Sequence, residues 1–130
     1  MRRACALVGI VVALAACGTA LGALTRSGIA GRVVAAPICP VETFPPRPEC
    51  APRALAATLR IRHVRHRRPV ITVHSGADGR FRVRLVPGEY EVQALAQPGS
   101  PYPRPPRPFD VRVRAGRFTR VTITYDTGIR

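Results

Sequence analysis

The chain has 130 residues and a formal net charge of +14, from 21 basic residues against 7 acids. Every fixed cation is arginine, and lysine, asparagine and tryptophan are absent. Such a length holds one small domain with a modest core, and four cysteines with three histidines and no CxxC give no zinc-ligand spacing.

Arg2 and Arg3, followed by the apolar stretch Ala4–Ala16, read as a secretory targeting segment over residues 1–16. Leu14-Ala15-Ala16-Cys17 resembles the bacterial lipobox. That resemblance implies diacylglycerol on the Cys17 thiol, cleavage just before it, and a lipid-anchored chain on the extracytoplasmic face of the cell membrane. Two alternatives stay open. The charge-free stretch from Ala4 to Leu24, about 21 residues, is long enough for a signal anchor, although its Gly/Ala-rich second half is weakly apolar. Simple secretion after a nearby cleavage is the other. All three deliver the remainder outside the cytoplasm. Residues 17–28 are then the lipidated N-terminus and tether, and residues 29–130 the domain. Loss of residues 1–16 leaves 19 arginines against 7 acids, a net charge of +12.

This location decides the cysteines. Cys5 is lost with the targeting segment and Cys17 is consumed by lipid. Cys39 and Cys50, which bracket CPVETFPPRPEC, remain in an oxidising compartment and are expected to form a disulfide.

Seven short alternating runs follow the tether, and no segment of useful length has helical periodicity. They are residues 29–36, 54–64, 70–74, 80–86, 89–96, 109–114 and 118–125. In residues 80–86, Phe81, Val83 and Leu85 alternate with Arg80, Arg82 and Arg84. One parity is apolar and the other charged, as a sheet with one face on a core and one in water requires. Phe118 is off-parity with Val121, Ile123 and Tyr125, which marks a bulge or the start of the strand. Ser75-Gly76-Ala77-Asp78-Gly79, Pro87-Gly88 and Ala115-Gly116 supply the turns. Pro98–Pro108 is too proline-rich for a central strand and is expected to be an extended polyproline II loop.

Gly79-Arg80-Phe81 through Leu85, then Pro87-Gly88-Glu89-Tyr90-Glu91-Val92, follows the pattern G-x-F…L-x-P-G-x-Y-x-V. It resembles the carboxypeptidase regulatory-like or prealbumin-like domains and the related CnaB-type modules. Gly31-Arg32-Val33, the Cys39–Cys50 run and the terminal DTGIR are similar to small bacterial lipoproteins of this type. The resemblance spans residues 28–130. It implies an all-β, seven-stranded, transthyretin-like Greek-key sandwich with Ig-like architecture, acting as a structural or interaction module. Some CnaB domains carry a Lys–Asn isopeptide bond, which a chain without lysine or asparagine cannot form. Transthyretin-like hydrolases need a His/Arg set and a Ser-bearing C-terminus that DTGIR does not supply. Gly76, where relatives often have Asp, argues against an ion site there.

The candidate sites are few. Arg62, Arg65, Arg67 and Arg68 lie in RHVRHRR, expected at the tip between the second and third runs. Arg104 and Arg107, three apart in polyproline II, would point one way. Both groups are candidate anion-binding sites, for anionic envelope polymers or lipid headgroups. A GC-rich coding bias also favours arginine, so the count alone does not establish a binding surface. His63 and His66 face opposite sides in a strand and meet only if a loop brings them together, and with His74 they are the conceivable metal ligands. His74-Ser75 near Asp78 is the nearest approach to a nucleophile set, without a G-x-S-x-G elbow. Glu89 and Glu91 share a strand face as a carboxylate pair. Exposed aromatics are too few for a carbohydrate platform.

The sequence thus reads as a non-enzymatic, lipid-anchored binding or scaffolding module of the envelope. Expected partners are the membrane, through diacylglycerol, and anionic polymers or envelope proteins. The location argues against nucleic acid. No cofactor or metal is expected, and the domain is expected to be a monomer. The alternative is an accessory domain of an envelope enzyme system, or a small hydrolase using the His74-Ser75 region.

Overall fold

The alternating runs become strands, and their pairing sorts them into two sheets. The computed structural model describes residues 26–130. The targeting segment, Cys5, Cys17 and most of the tether lie outside the described residues. In chain order the strands are β1 (Gly28–Ala36), β2 (Arg53–Ala54), β3 (Thr58–His63), β4 (Val70–His74), β5 (Arg80–Arg84), β6 (Gly88–Ala94), β7 (Phe109–Val113) and β8 (Phe118–Asp126). Among the described residues the one helical element is a 3-10 turn over Pro48–Cys50.

The expected all-β Greek-key sandwich is therefore what the chain adopts, with eight strands where seven were expected. The extra strand comes from residues 54–64, which divide. Arg53 and Ala54 pair with Ala35 and Val34 of β1, and the chain then crosses to the other sheet, where Thr58 begins β3. Leu55-Ala56-Ala57 has no polar alternation to mark the crossing. The proline-rich segment is not one continuous polyproline II run either. Gly99 turns it in the left-handed region (φ 73°), and Arg104 forms a short antiparallel bridge with Asp126.

The first sheet is built on β1. β8 runs parallel to β1 along all nine residues from Gly28 to Ala36. β5 and β2, both antiparallel, share the other edge of β1 in succession. The second sheet is wholly antiparallel, in the order β4-β3-β6-β7. Alternation then fixes the core. Ile29, Val33, Ile123 and Tyr125 of the first sheet face Leu59, Ile61 and Val92 of the second, each at most 1% exposed. Each such side chain contributes roughly 1.5–3 kcal/mol by leaving water.

Three hydroxyls secure strand ends and turns, and one of them joins the layers. Tyr125 on β8 donates to the Leu95 carbonyl just past β6 (2.7 Å), joining the two sheets, and burial pushes its phenol pKa up. Tyr90 donates to the Val86 carbonyl (2.8 Å) across the Pro87-Gly88 turn. Buried Ser27 donates to the Leu85 carbonyl (2.7 Å), while the Leu85 N–H donates to the Ser27 carbonyl (3.0 Å).

The pairing directions give the sandwich two distinct ends. One end, where β1 starts, gathers Ser27, the β3–β4 loop (residues 64–69), the β5–β6 turn and the β7–β8 turn. The opposite end gathers residues 37–52, the β4–β5 turn, the proline-rich segment and residues 127–130. Cys39 and Cys50 form the expected disulfide there, with Cα atoms 5.3 Å apart. A loop with a sequence separation of 11 closes under it, which should contribute about 3 kcal/mol. Thiol labelling of the non-reduced protein should therefore find neither cysteine free, and recovery of both as thiols would contradict the bridge.

The β1–β8 pairing also sets a sharper constraint. A Cβ on Gly31 would overlap the Val121 carbonyl of β8. Gly31→Ala should thus lower stability by about 2–3 kcal/mol in urea unfolding. A loss under about 0.5 kcal/mol would show that the two strands do not approach so closely.

Candidate functional site

Strand alternation sends Arg80, Arg82 and Arg84 of β5 outward. Register completes the array. Arg82 and Arg120 flank Ala30 on β1, and Arg80 lies abreast of Arg32, which neighbours Thr122. Ala30 is 6% exposed. Its small side chain floors an open basin of about 580 Å³ whose rim carries Arg32, Arg80, Arg82 and Arg120. The Arg82 guanidinium sits 3.5 Å above the Phe118 ring. This accounts for the parity of Phe118. It starts β8 on the outer face, where a cation covers it. Among the described residues, Arg32, Arg82, Arg84 and Arg120 make no salt bridge, and Arg80 only approaches Asp78, at 3.9 Å.

The outer face of the second sheet is handled differently. Arg62 grips Glu91 through Nε (2.8 Å) and Nη2 (2.5 Å), and Arg112 binds Glu89 at 2.6 Å. These are cross-strand pairs set by register. The Arg112 hydrogen bond and charge lower the Glu89 pKa, with smaller help from Arg65 and His63. Glu89 and Glu91 do share a strand face, but each is held by its own arginine. Arg62, grouped in sequence with the tip, is likewise committed to Glu91.

Arg65, Arg67 and Arg68 do lie on the β3–β4 tip. The Arg67 N–H donates to the His63 carbonyl (2.8 Å), the Arg68 N–H donates to the His66 carbonyl (2.6 Å), and Arg67 has φ 55°. This turn brings the His63 and His66 rings to 4.7 Å between centroids, and Tyr90 meets His63 edge-on at 5.2 Å. His63 Nδ1 accepts the Arg65 N–H at 3.1 Å. His74 stands at the other end of β4, with Nδ1 3.1 Å from the Thr58 hydroxyl. The three histidines do not converge, and among the described residues no three His, Cys, Asp or Glu side chains form a metal-binding group.

The His74-Ser75 region is likewise structural in its contacts. The Ser75 hydroxyl is buried, accepts the Ala57 N–H (2.8 Å) and donates to the Leu55 carbonyl (2.9 Å). It pins the β2–β3 crossing. His74, its neighbour, faces outward and is bonded to Thr58.

Arg104 and Arg107 sit at the disulfide end, opposite the tip, so the two basic groups expected from sequence do not form one surface. Arg104 exchanges both main-chain hydrogen bonds with Asp126 (2.7 and 2.8 Å) and packs on the Tyr102 ring, 5.2 Å from its centroid. Arg107 is exposed. None of the five arginines of this face, Arg32, Arg80, Arg82, Arg84 and Arg120, is among the sites expected from sequence. The alternation of Arg80, Arg82 and Arg84 was visible, but nothing local shows that β1 and β8 bring two more guanidinium groups alongside.

No protein-family model and no curated protein matches the chain. Solved structures do. The chain is similar to the minor pilin GBS52 of the Gram-positive pathogen Streptococcus agalactiae, with a TM-score of 0.58 at 15% identity over 80% of this chain and 46% of that one. It is also similar to the Bacillus anthracis TIE protein, with a TM-score of 0.52 at 11% identity over 78% of this chain and 16% of that one. At these identities the likeness shows an Ig-like β-sandwich. The chain spans less than half the length of either neighbour.

Asp126 organises the residues beside Arg104. It accepts hydrogen bonds from Arg130 (2.8 and 3.1 Å) and from the Gly128 N–H (2.9 Å). These, the Arg130 bond first, lower its pKa from 3.8 to about 2. A depressed carboxylate pKa gives stabilisation that is complete above the unfolded value and is lost as pH falls through the folded one. Thr127 is held separately by Ala36 and Pro37, so Gly128 and Arg130 are the residues that should stay clamped at pH 4 and release near pH 2. Carboxyl NMR titration of Asp126 together with Gly128 amide exchange reads this, and an ordinary Asp126 midpoint near 4 would contradict the clamp.

Proposed function

We propose that this chain is a non-enzymatic binding or scaffolding module of the carboxypeptidase regulatory-like, prealbumin-like type. It is held outside the membrane by diacylglycerol on Cys17, and the β5-β1-β8 face binds an anionic polymer of the envelope. The observation that carries this reading is charge segregation. Three acids sit on the outer face of the second sheet, among Arg60, Arg62 and Arg112. The facing array of Arg32, Arg80, Arg82, Arg84 and Arg120 has none of its own. A coding bias raises the arginine count, but it does not sort acids onto one face.

The spacing suits a linear partner. Residues two apart on a strand are about 6.5 Å apart, and neighbouring strands about 4.8 Å. Successive anionic groups along a chain can meet successive guanidinium forks, which bind phosphate or carboxylate oxygens in pairs. The small Ala30 floor lets such a chain lie close to the sheet. The structural duties of Ser75, Glu89 and Glu91 support a non-enzymatic role, as does the pilin-like neighbour.

Two measurements test this. Linear inorganic polyphosphate should bind with a Kd that rises steeply with salt. Arg32→Gln with Arg120→Gln should weaken it about tenfold or more, whereas Arg60→Gln with Arg112→Gln, which removes the same charge, should change it less than threefold. Equal losses in the two double variants would reject the face. For the anchor, Cys17→Ser should release the protein from the membrane fraction, and unchanged retention without a lipid-modified peptide would sink that part.

A further inference from the structure

The end of the sandwich where β1 starts combines three features that occur together nowhere else among the described residues. Exposed arginines crowd it: Arg65, Arg67 and Arg68 on the β3–β4 loop, Arg84 at the end of β5, and Arg114 and Arg117 around the β7–β8 turn. Two aliphatic side chains project among them, Val64 at 40% and Val86 at 59% exposure. Between the two loops lies an open cleft of about 360 Å³, lined largely by the apolar surfaces of Pro69, Ile71, Leu85, Val86, Tyr90 and His63. The one acid nearby, Glu89, is neutralised by Arg112.

This is also the end at which the N-terminal tether enters. The reciprocal bonds between Ser27 and Leu85 place the chain entry directly beside the Val86 turn, and Arg26 is exposed just before it. The contrast with the far end is informative. Val41 (63%) and Phe44 (98%) are exposed there too, but on the disulfide loop beside Glu42 and Glu49. Among the described residues, apolar tips ringed by cations occur at the Gly28 end alone. The backbone adds a second pointer. Positive φ at Gly79, Gly99, Gly116 and Gly128 is met with glycine, yet position 67 holds arginine at φ 55°. That conformation costs a non-glycine residue on the order of 1 kcal/mol, so the chain keeps a cation on the tip at the expense of an easier turn.

We propose that this end of the sandwich docks directly on an anionic bilayer surface. Val64 and Val86 enter the headgroup boundary, and the surrounding arginines contact lipid phosphates. Aliphatic tips that dip into the interface while basic neighbours meet anionic headgroups are a stable combination. The proposal rests on the reading that the chain is held at a membrane. It adds that the domain stands on the bilayer by its own surface, with its strands along the membrane normal, rather than swinging from a slack tether.

The absence of tryptophan makes a single-site reporter simple. Full-length protein carrying Val86→Trp is mixed with vesicles of phosphatidylglycerol and phosphatidylcholine bearing brominated acyl chains, and separately with brominated phosphatidylcholine alone. Phe44→Trp reports the opposite end. Docking predicts a blue shift and bromine quenching of the Val86→Trp reporter on anionic vesicles only. Phe44→Trp should be unaffected. Adding Arg65→Gln, Arg67→Gln and Arg68→Gln, or raising salt to about 0.5 M, should return the signal to the neutral-vesicle level. Vesicle retention with a solvent-like Val86→Trp signal would overturn docking and leave the lipid anchor standing. Quenching together with stable retention, both unchanged by Cys17→Ser, would support docking and overturn the anchor. Neither retention nor quenching would overturn both. A shift induced equally by soluble polyphosphate, without bromine quenching, would assign the tip to polymer and reject the bilayer.

Discussion

The parallel pairing of β1 with β8 is the constraint on which the rest of the structure depends. It joins the two chain-distal strands of the domain along nine residues, and it requires near contact of backbones at Gly31. Strand β8 then carries Ile123 and Tyr125 into the core, and the Tyr125 hydroxyl reaches across to Leu95 in the second sheet. The same register sets Arg120 beside Ala30. One pairing therefore closes the domain, couples its sheets and assembles the basic face. A contact of such sequence separation forms at high entropic cost, so β8 is expected to be a late element in folding.

The sequence exposed strands well because each surface-facing strand writes polar and apolar residues alternately. The turns were legible for the same local reason, through Gly76, Gly79, Gly88 and Gly116. The Cys39–Cys50 bridge followed from compartment rather than geometry. What stayed hidden was relational. Leu55-Ala56-Ala57 is as apolar as the strand it precedes, so the crossing between sheets left no mark. His63 and His66 meet only because the tip turns back on His63 through Arg67. Arg62 looked like part of a basic run, yet its partner Glu91 lies 29 positions away. Arg32 and Arg120 become neighbours of Arg82 and Arg80 only through β1.

Charge in this molecule is an arrangement more than a total. The second sheet holds Glu89 and Glu91 in cross-strand pairs with arginine and adds Asp110, leaving that face close to neutral. Apart from the approach of Arg80 to Asp78, the arginines on the outer face of the first sheet and at the Gly28 end make no salt bridge among the described residues. Long-range attraction of anions then has a direction, since unpaired surface cations project a field while paired ones largely cancel. At the disulfide end Arg47, Arg53, Arg104, Arg107 and Arg130 are offset by Glu42, Glu49, Asp78 and Asp126, so the charge there largely cancels.

The short bridge between Arg104 and Asp126 also bears on how the molecule behaves in company. β8 is an edge strand, and an unpaired edge invites pairing with another chain. At Asp126 that edge is taken by Arg104, whose neighbours Pro103 and Pro105 have no N–H to donate. The bridge therefore cannot lengthen into a further strand. Along the remaining edge, Arg117 and Arg120 set like charge against like charge whenever two copies approach. The proline strap acts as a self-limiting end-stop, and the arginines guard the rest against edge-to-edge association.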